Sequence, residues 1–260
     1  MKKKVLFFIF LLFIICSFNL LAINFPQRAN KVEKFIPKGW KSVLKKEGDL
    51  NNDNIKDVVL VIQEDNPENF IPIFNAYEDL TGFIDGNRMM MLILLKDKNS
   101  QYNLIAKNEK DFIVSEGKSV ENRGKIEMFS SHDFDEDLSK AISIENNTLH
   151  IFTAGGNHEG VSFSEYIFKY QNNKFELIHL KGNSDKTYIS TEIKFSFSID
   201  FLSKKIKKER LITDLNTNKK LEDTKIEKDL NIKEKYIFDN FTETTKLDIL
   251  KKCVYKKKND

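Results

Sequence analysis

Hard oxygen donors are crowded into one stretch, Gly48-Asp49-Leu50-Asn51-Asn52-Asp53-Asn54-Ile55-Lys56-Asp57. Asp49, Asn51, Asp53 and Asp57 alternate with other residues around a tight loop, which is how a chain presents several oxygen ligands to one Ca²⁺. The expected shell is Asp49, Asn51, Asp53, the Ile55 carbonyl and Asp57. Carboxylates this close repel one another unless a cation neutralises them, which is the physical reason to expect the ion. The same residues also suit a solvated turn whose side chains bond their own backbone. Leu60 stands where an EF-hand carries its bidentate Glu, so the loop is not of that type.

Weaker constellations lie further on. His132, Asp133, Asp135 and Asp137 could bind Ca²⁺ or a transition metal, but without a following Gly or a second His partner they read as an exposed acidic loop. In loop 155–160, Asn157, His158 and Glu159 sit beside Gly155, Gly156 and Gly160, and a His–Glu pair can do acid/base work. His150 and His179 fall in predicted strands and read as surface or satisfied core residues. There is no Gly-x-Ser-x-Gly elbow, phosphate-binding loop, dinucleotide fingerprint or paired-Cys zinc spacing.

The elements that must hold these residues read as strands. The apolar runs 58–63 and 89–95 fit strands covered on both faces. Met89, Met90 and Met91 point to alternate faces of such a strand, so they pack rather than ligate a soft metal. Residues 102–106 answer the second run across an Asn-Ser turn. Between the two runs, 64–88 is broken by Pro67, Pro72, Gly82 and Gly86 and reads as a loop with a helical turn near 74–80. Residues 142–180 form successive hairpins about Asn-rich turns, and 193–201 alternate apolar with polar residues. The polar stretch 214–231 reads as a mobile excursion. Residues 236–238 are the last candidate strand and 247–255 a closing element. Trp40 is expected to anchor the core.

The chain opens Met1-Lys2-Lys3-Lys4 and then runs apolar, so residues 1–22 read as a secretory signal peptide cut after Ala22. Acylation of Cys16 and a retained membrane anchor are the alternatives. The formal net charge of +3 comes from the three Lys in that segment, leaving the mature chain neutral and without the electrostatic footprint of a nucleic-acid binder. Cleavage leaves Cys253 alone, so no internal disulfide forms. Cys253 is a buried strand thiol or an intermolecular partner.

Pro37-Lys38-Gly39-Trp40 followed by the aspartate loop, together with Ile144-Glu145-Asn146-Asn147, Gly155-Gly156, Tyr170-Gln171-Asn172 and Phe201-Leu202-Ser203-Lys204-Lys205, resembles a group of poorly characterised secreted or envelope proteins of Gram-negative bacteria. The loop is also similar to those of dockerins and integrin-type repeats, with Asn54 where these carry Gly. The resemblance implies no particular activity. The expected fold is mainly β, an antiparallel β-sandwich-like or meander domain with little helix. It comprises a β-rich domain over 23–213, the excursion 214–231, a closing element over 232–255 and a basic tail at 256–260. The expected protein is periplasmic or secreted and carries a Ca²⁺-stabilised loop. It is read as a non-enzymatic binding or structural module whose partner is an envelope protein or a glycan rather than nucleic acid, and it meets the membrane only if its first segment is retained or lipidated. A secreted hydrolase with its site near loop 155–160 is the alternative.

Overall fold

A computed structural model describes residues 23–74, 77, 79–110, 112–113, 128–129, 138–157 and 160–255. The N-terminal segment, the His132–Asp137 cluster, His158, Glu159, the Asn157 side chain and the basic tail lie outside the described residues.

The chain is mainly antiparallel β, arranged as three sheets with a single α-helix among the described residues. The first sheet contains β1 (Arg28–Ala29), β2 (Trp40–Gly48), β3 (Asp57–Glu64), β6 (Met89–Lys96) and β7 (Tyr102–Asn108). Its order is β1-β7-β6-β3-β2. A two-stranded sheet, β4 (Phe70–Phe74) and β5 (Leu80–Asp85), is inserted between β3 and β6. The third sheet is a long meander of β8 (Met128–Phe129), β10 (Thr148–Asn157), β11 (Gly160–Gln171), β12 (Lys174–Thr187), β13 (Thr191–Asp200), β14 (Lys205–Asp214) and β15 (Lys220–Asp229). Here β9 (Ile142–Glu145) pairs with β10. Helix α1 (Glu243–Cys253) closes the chain.

Central position explains the two continuous apolar runs. Val59 and Val61 of β3, with Met91, Ile93 and Leu95 of β6, face a core shared with Leu149, Ile151, Tyr166, Phe168, Leu180 and Ile199 of the meander. Val58, Leu60 and Ile62, with Met90, Leu92 and Leu94, face the other way onto Val32 and Phe35 of the N-terminal segment. Both faces of both strands are therefore dry, and the methionines are packing residues, as their alternation required. Trp40 is half-buried at the margin of this second core, under the Arg88 guanidinium at 5.6 Å.

Three readings of the sequence are corrected. Residues 70–85 form a hairpin rather than a loop with a helical turn, because the apolar positions 70–74 and 80–84 pair across the connection despite Pro72 and Gly82. Residues 220–229 are no mobile excursion but β15, paired with β14 along its length. The signal was hidden because β15 has no face in the core. Backbone pairing holds it, together with exposed cross-strand ion pairs such as Lys225–Glu209 at 3.3 Å and Arg210–Glu222 at 3.5 Å. The turn before it is closed by the Asp214 carboxylate, which accepts the N–H groups of Asn216 and Thr217 at 2.9 Å each. Cys253 is buried as expected, but in α1 rather than in a strand. Burial pushes its thiol up to about 11, far from the range of a reactive thiolate. The helix begins at a capping box in which the Thr242 hydroxyl accepts the Thr245 N–H and the Thr245 hydroxyl accepts the Thr242 N–H.

Candidate functional site

The aspartate loop connects β2 to β3 where the two large sheets meet. Leu50 enters the main core, and the Asn147 amide of the β9–β10 turn donates to the Asp49 carbonyl at 3.0 Å. Gly48 is required by this junction, since a Cβ there would lie 2.7 Å from Cγ2 of Ile144. Within the loop, Asp49 Oδ1 accepts the N–H groups of Asn52 (2.7 Å) and Asp53 (3.2 Å), and its Oδ2 accepts that of Asn54 (2.8 Å). Asn51 Oδ1 accepts the Asp53 N–H at 3.2 Å, and Asp53 Oδ1 accepts that of Ile55 at 2.8 Å. Asn52 and Asn54 take φ of 63° and 65°. Asn54 thus adopts the left-handed conformation that Gly takes most readily and Asn tolerates.

Asp57 stands apart from Asp49, Asn51 and Asp53. It is fully buried, and its two oxygens accept the N–H groups of Leu50 and Lys96, each at 2.9 Å. It therefore stitches the loop to the end of β6. Burial pushes its carboxyl up to about 6, partly opposed by the two N–H donors and reinforced by the charges of Asp53 and Asp49. Among the described residues no three His, Cys, Asp or Glu side chains are gathered to the spacing of a metal shell. The donor types suit Ca²⁺, and gathering them would require Asp49 and Asp53 to turn oxygens now bonded to backbone N–H groups.

A second polar group lies on the outward face of the meander. Cross-strand register places His150, Ile167, His179 and Asp200 in one row, and Glu165, Lys181 and Ser198 in the next. His150 Nδ1 is 2.7 Å from Glu165 Oε1, Thr148 Oγ1 is 2.9 Å from His150 Nε2, and Lys181 Nζ donates to Glu165 Oε2 at 2.8 Å. The His150 hydrogen bond, with Lys181, holds the Glu165 carboxyl down at about 2 against the opposing effect of burial. His179 bonds the Ser198 hydroxyl at 2.7 Å, and burial keeps its basicity below the ordinary range. Both histidines are satisfied, as the sequence reading held. The Thr148 hydroxyl also donates to the Glu145 carbonyl at 2.6 Å, so its proton is committed to closing a turn rather than to the imidazole. An open depression of ≈ 260 Å³ beside this row is lined by Phe163, Glu165, Lys181, Asn183, Ser196 and Ser198.

The β4–β5 hairpin is the feature that sequence reasoning missed. Register sets Phe70, Pro72 and Phe74 opposite Asp85, Phe83 and Leu80 on one face, with Ile71, Ile73 and Ile84 on the other. Phe70, Ile73, Phe74, Tyr77, Leu80 and Phe83 are all exposed, with Phe74 at 58%, Phe83 at 60% and Tyr77 at 85%. Its base, by contrast, is fastened. The buried Asn87 side chain accepts from the Asn66 N–H (3.2 Å) and the Asn69 amide (3.0 Å), and donates to the Asn66 carbonyl (3.0 Å) and Asp85 Oδ1 (2.8 Å). The usable signal was the apolar pair of segments 70–74 and 80–84, masked by Pro72 and Gly82. Comparison with protein-family models, with curated proteins and with solved structures returns no match.

Proposed function

We propose that this chain is an exported binding protein of the cell envelope whose contact element is the β4–β5 hairpin. The carrying observation is the exposure of Phe70, Ile73, Phe74, Tyr77, Leu80 and Phe83 on an arm held at its base by Asn87. A lone two-stranded hairpin is marginal in water and gains stability when its apolar faces are covered. The signal-like segment 1–22 motivates export, and a mature terminus at Ile23, read by mass spectrometry, is the expected result. A photo-crosslinking side chain at position 74 or 83 of the exported protein tests the contact. Covalent adducts with one discrete partner are expected, whereas adducts absent at 74 and 83 alike, or equal to those from an exposed β15 position, overturn the reading.

The aspartate loop is read as a structural Ca²⁺ site formed by Asp49, Asn51, Asp53, the Ile55 carbonyl and Asp57. The oxygen-donor types of the loop support it, together with the unfavourable charges of Asp53 and Asp49 felt by the buried Asp57, because a cation there would relieve the repulsion. Bound Ca²⁺ would neutralise the loop and stiffen the passage from β2 into β3. Calorimetry of the mature protein is expected to show saturable one-site heat with Ca²⁺, and absence of heat at millimolar Ca²⁺ ends the idea.

A further inference from the structure

We propose that the outward face of the meander carries a separate ligand site, a groove crossing β11 to β15 that takes an uncharged oligosaccharide. The site lies apart from the β4–β5 hairpin and does not rest on its reading. Register sets Phe163, Asn183, Ser196, Glu209 and Lys225 in one row across these strands. Glu165, Lys181 and Ser198 form the row on one side of it, and Asp185, Lys194, Leu211 and Asp223 the row on the other. Asn183 and Ser196 are short while long side chains flank them, so the middle of the face is sunk. The depression of ≈ 260 Å³ beside Glu165 and another of ≈ 400 Å³ toward β15 share these two residues and form one trough. With neighbouring strands about 4.8 Å apart, the row spans ~19 Å, enough for a short linear polymer. The strands beneath are fixed. Their other face enters the main core at Leu180, Phe197 and Ile199, and the Phe197 ring lies where a Cβ of Gly182 would stand. A surface set in advance loses little freedom when a ligand binds.

The chemistry of the trough selects its occupant. Backbone groups along these strands pair with one another, so a ligand lying across them meets side chains and a peptide cannot bind there by strand addition. Each lysine lining the trough is already held by a carboxylate: Lys181 by Glu165 at 2.8 Å, Lys194 by Glu192 at 3.2 Å, Lys220 by Asp223 at 2.7 Å and Lys225 by Glu209 at 3.3 Å. A polyanion would have to break these pairs and would meet the Asp185 carboxylate among them. An apolar ligand would strand the floor, where no hydrogen bond among the described residues engages the Asn183 amide or the Ser196 hydroxyl. These groups offer donors and acceptors side by side. A sugar hydroxyl is itself both donor and acceptor, so it satisfies them without bringing a charge. The half-buried Phe163 ring at one end and Leu211 toward the other supply apolar contacts for the C–H faces of sugar rings.

Calorimetric titration of the mature chain with cellohexaose, maltohexaose and chitohexaose is the test. Saturable one-site binding of at least one of them is expected, with a Kd at or below ~1 mM. Asn183→Ala should weaken it by about tenfold through the lost hydrogen bonds. Ser196→Arg fills the floor and should abolish binding while the melting temperature holds; if that variant fails to fold, Asn183→Ala carries the test. Affinity should stay within about twofold as salt rises from ~0.05 to ~0.3 M, because the ligand is uncharged. The hairpin variant F74S/F83S should bind as the unaltered chain does. No saturation by any of these sugars at ~10 mM, undiminished binding in Asn183→Ala, or binding lost in F74S/F83S overturns the proposal. So does tighter binding of hexagalacturonate that falls with salt, or Asn183-dependent binding of the uncharged peptide Ser-Thr-Val-Ser-Thr-Val-Ser-Thr. Crosslinking at positions 74 and 83 reads the hairpin alone, so either reading can fail without the other.

Discussion

Strand β6 and the β4–β5 hairpin are neighbours in the chain and draw on the same residue types, yet they meet opposite fates. Leu92 is fully buried and Phe83 is 60% exposed. The difference lies in what is stacked above and below. β6 runs between β3 and β7, with the meander on one face and the N-terminal segment on the other. The hairpin stands outside these layers, attached through the Asn87 knot, and finds nothing within the described chain to cover it. Apolar composition therefore makes a core only where topology supplies a second layer. Where it does not, the same composition stays exposed on the surface.

Substitutions can break or sharpen this contrast. Leu92→Ala in β6 should destabilise the protein by about 2–5 kcal/mol through lost burial and the cavity left behind. Urea titration of the purified chain measures it, and a loss below that range would mean that β6 is less tightly enclosed than its burial implies.

Asp57 links the loop to the end of β6 and should give the next largest effect. Its folded-state pKa of about 6 exceeds the ordinary 3.8, so the folded chain holds this proton more tightly than the unfolded chain does. The linked stability is fully present below 3.8 and is lost as pH rises through about 6, by up to ~3 kcal/mol. Asp57→Asn should abolish this limb in thermal melts taken across pH 4–7, and saturating Ca²⁺ should flatten it in the unaltered protein. Glu165 has the opposite sign. With its carboxyl held at about 2 against an ordinary 4.5, its contribution is present above 4.5 and is lost as pH falls through about 2. Glu165→Gln should remove that acid limb, and a retained limb would assign it to other carboxylates.

Gly48→Ala should cost about 1–3 kcal/mol, because the methyl would press on Ile144 where β2 and β9 approach. A neutral result would show that the junction yields. At the small end, Phe83→Ser on the hairpin should change stability by no more than ~0.5 kcal/mol, the expectation for a surface position. A loss as large as that of Leu92→Ala would show the hairpin face to be covered in the folded chain.

Legibility followed the location of the second layer. The runs in β3 and β6, the alternation over 193–201 and the Asn-rich turns were readable because burial or φ > 0 restricts which residues those positions accept. Asn54, Asn146 and Asn172 all have positive φ, as their turn roles required. The hairpin was not readable, since Pro72 and Gly82 punctuate it and its apolar residues mark no core. Strand β15 was not readable either, since its alternating Lys and Glu resemble a disordered tract until β14 is set beside it. At the candidate Ca²⁺ site the identity of the oxygen donors was plain, but the division of labour was not. Asp57 is separated from Asp49 and Asp53 because folding buries it against the Leu50 and Lys96 N–H groups.

Local patterning by itself determined that this chain would be built from antiparallel strands, because period-2 alternation and turn chemistry act over a few residues at a time. Only the tertiary structure decided which apolar segment became core and which stayed outside. It also decided which aspartate turned inward and which charged tract became a strand. Those outcomes depend on groups far apart in sequence, brought into contact only when the sheets stack.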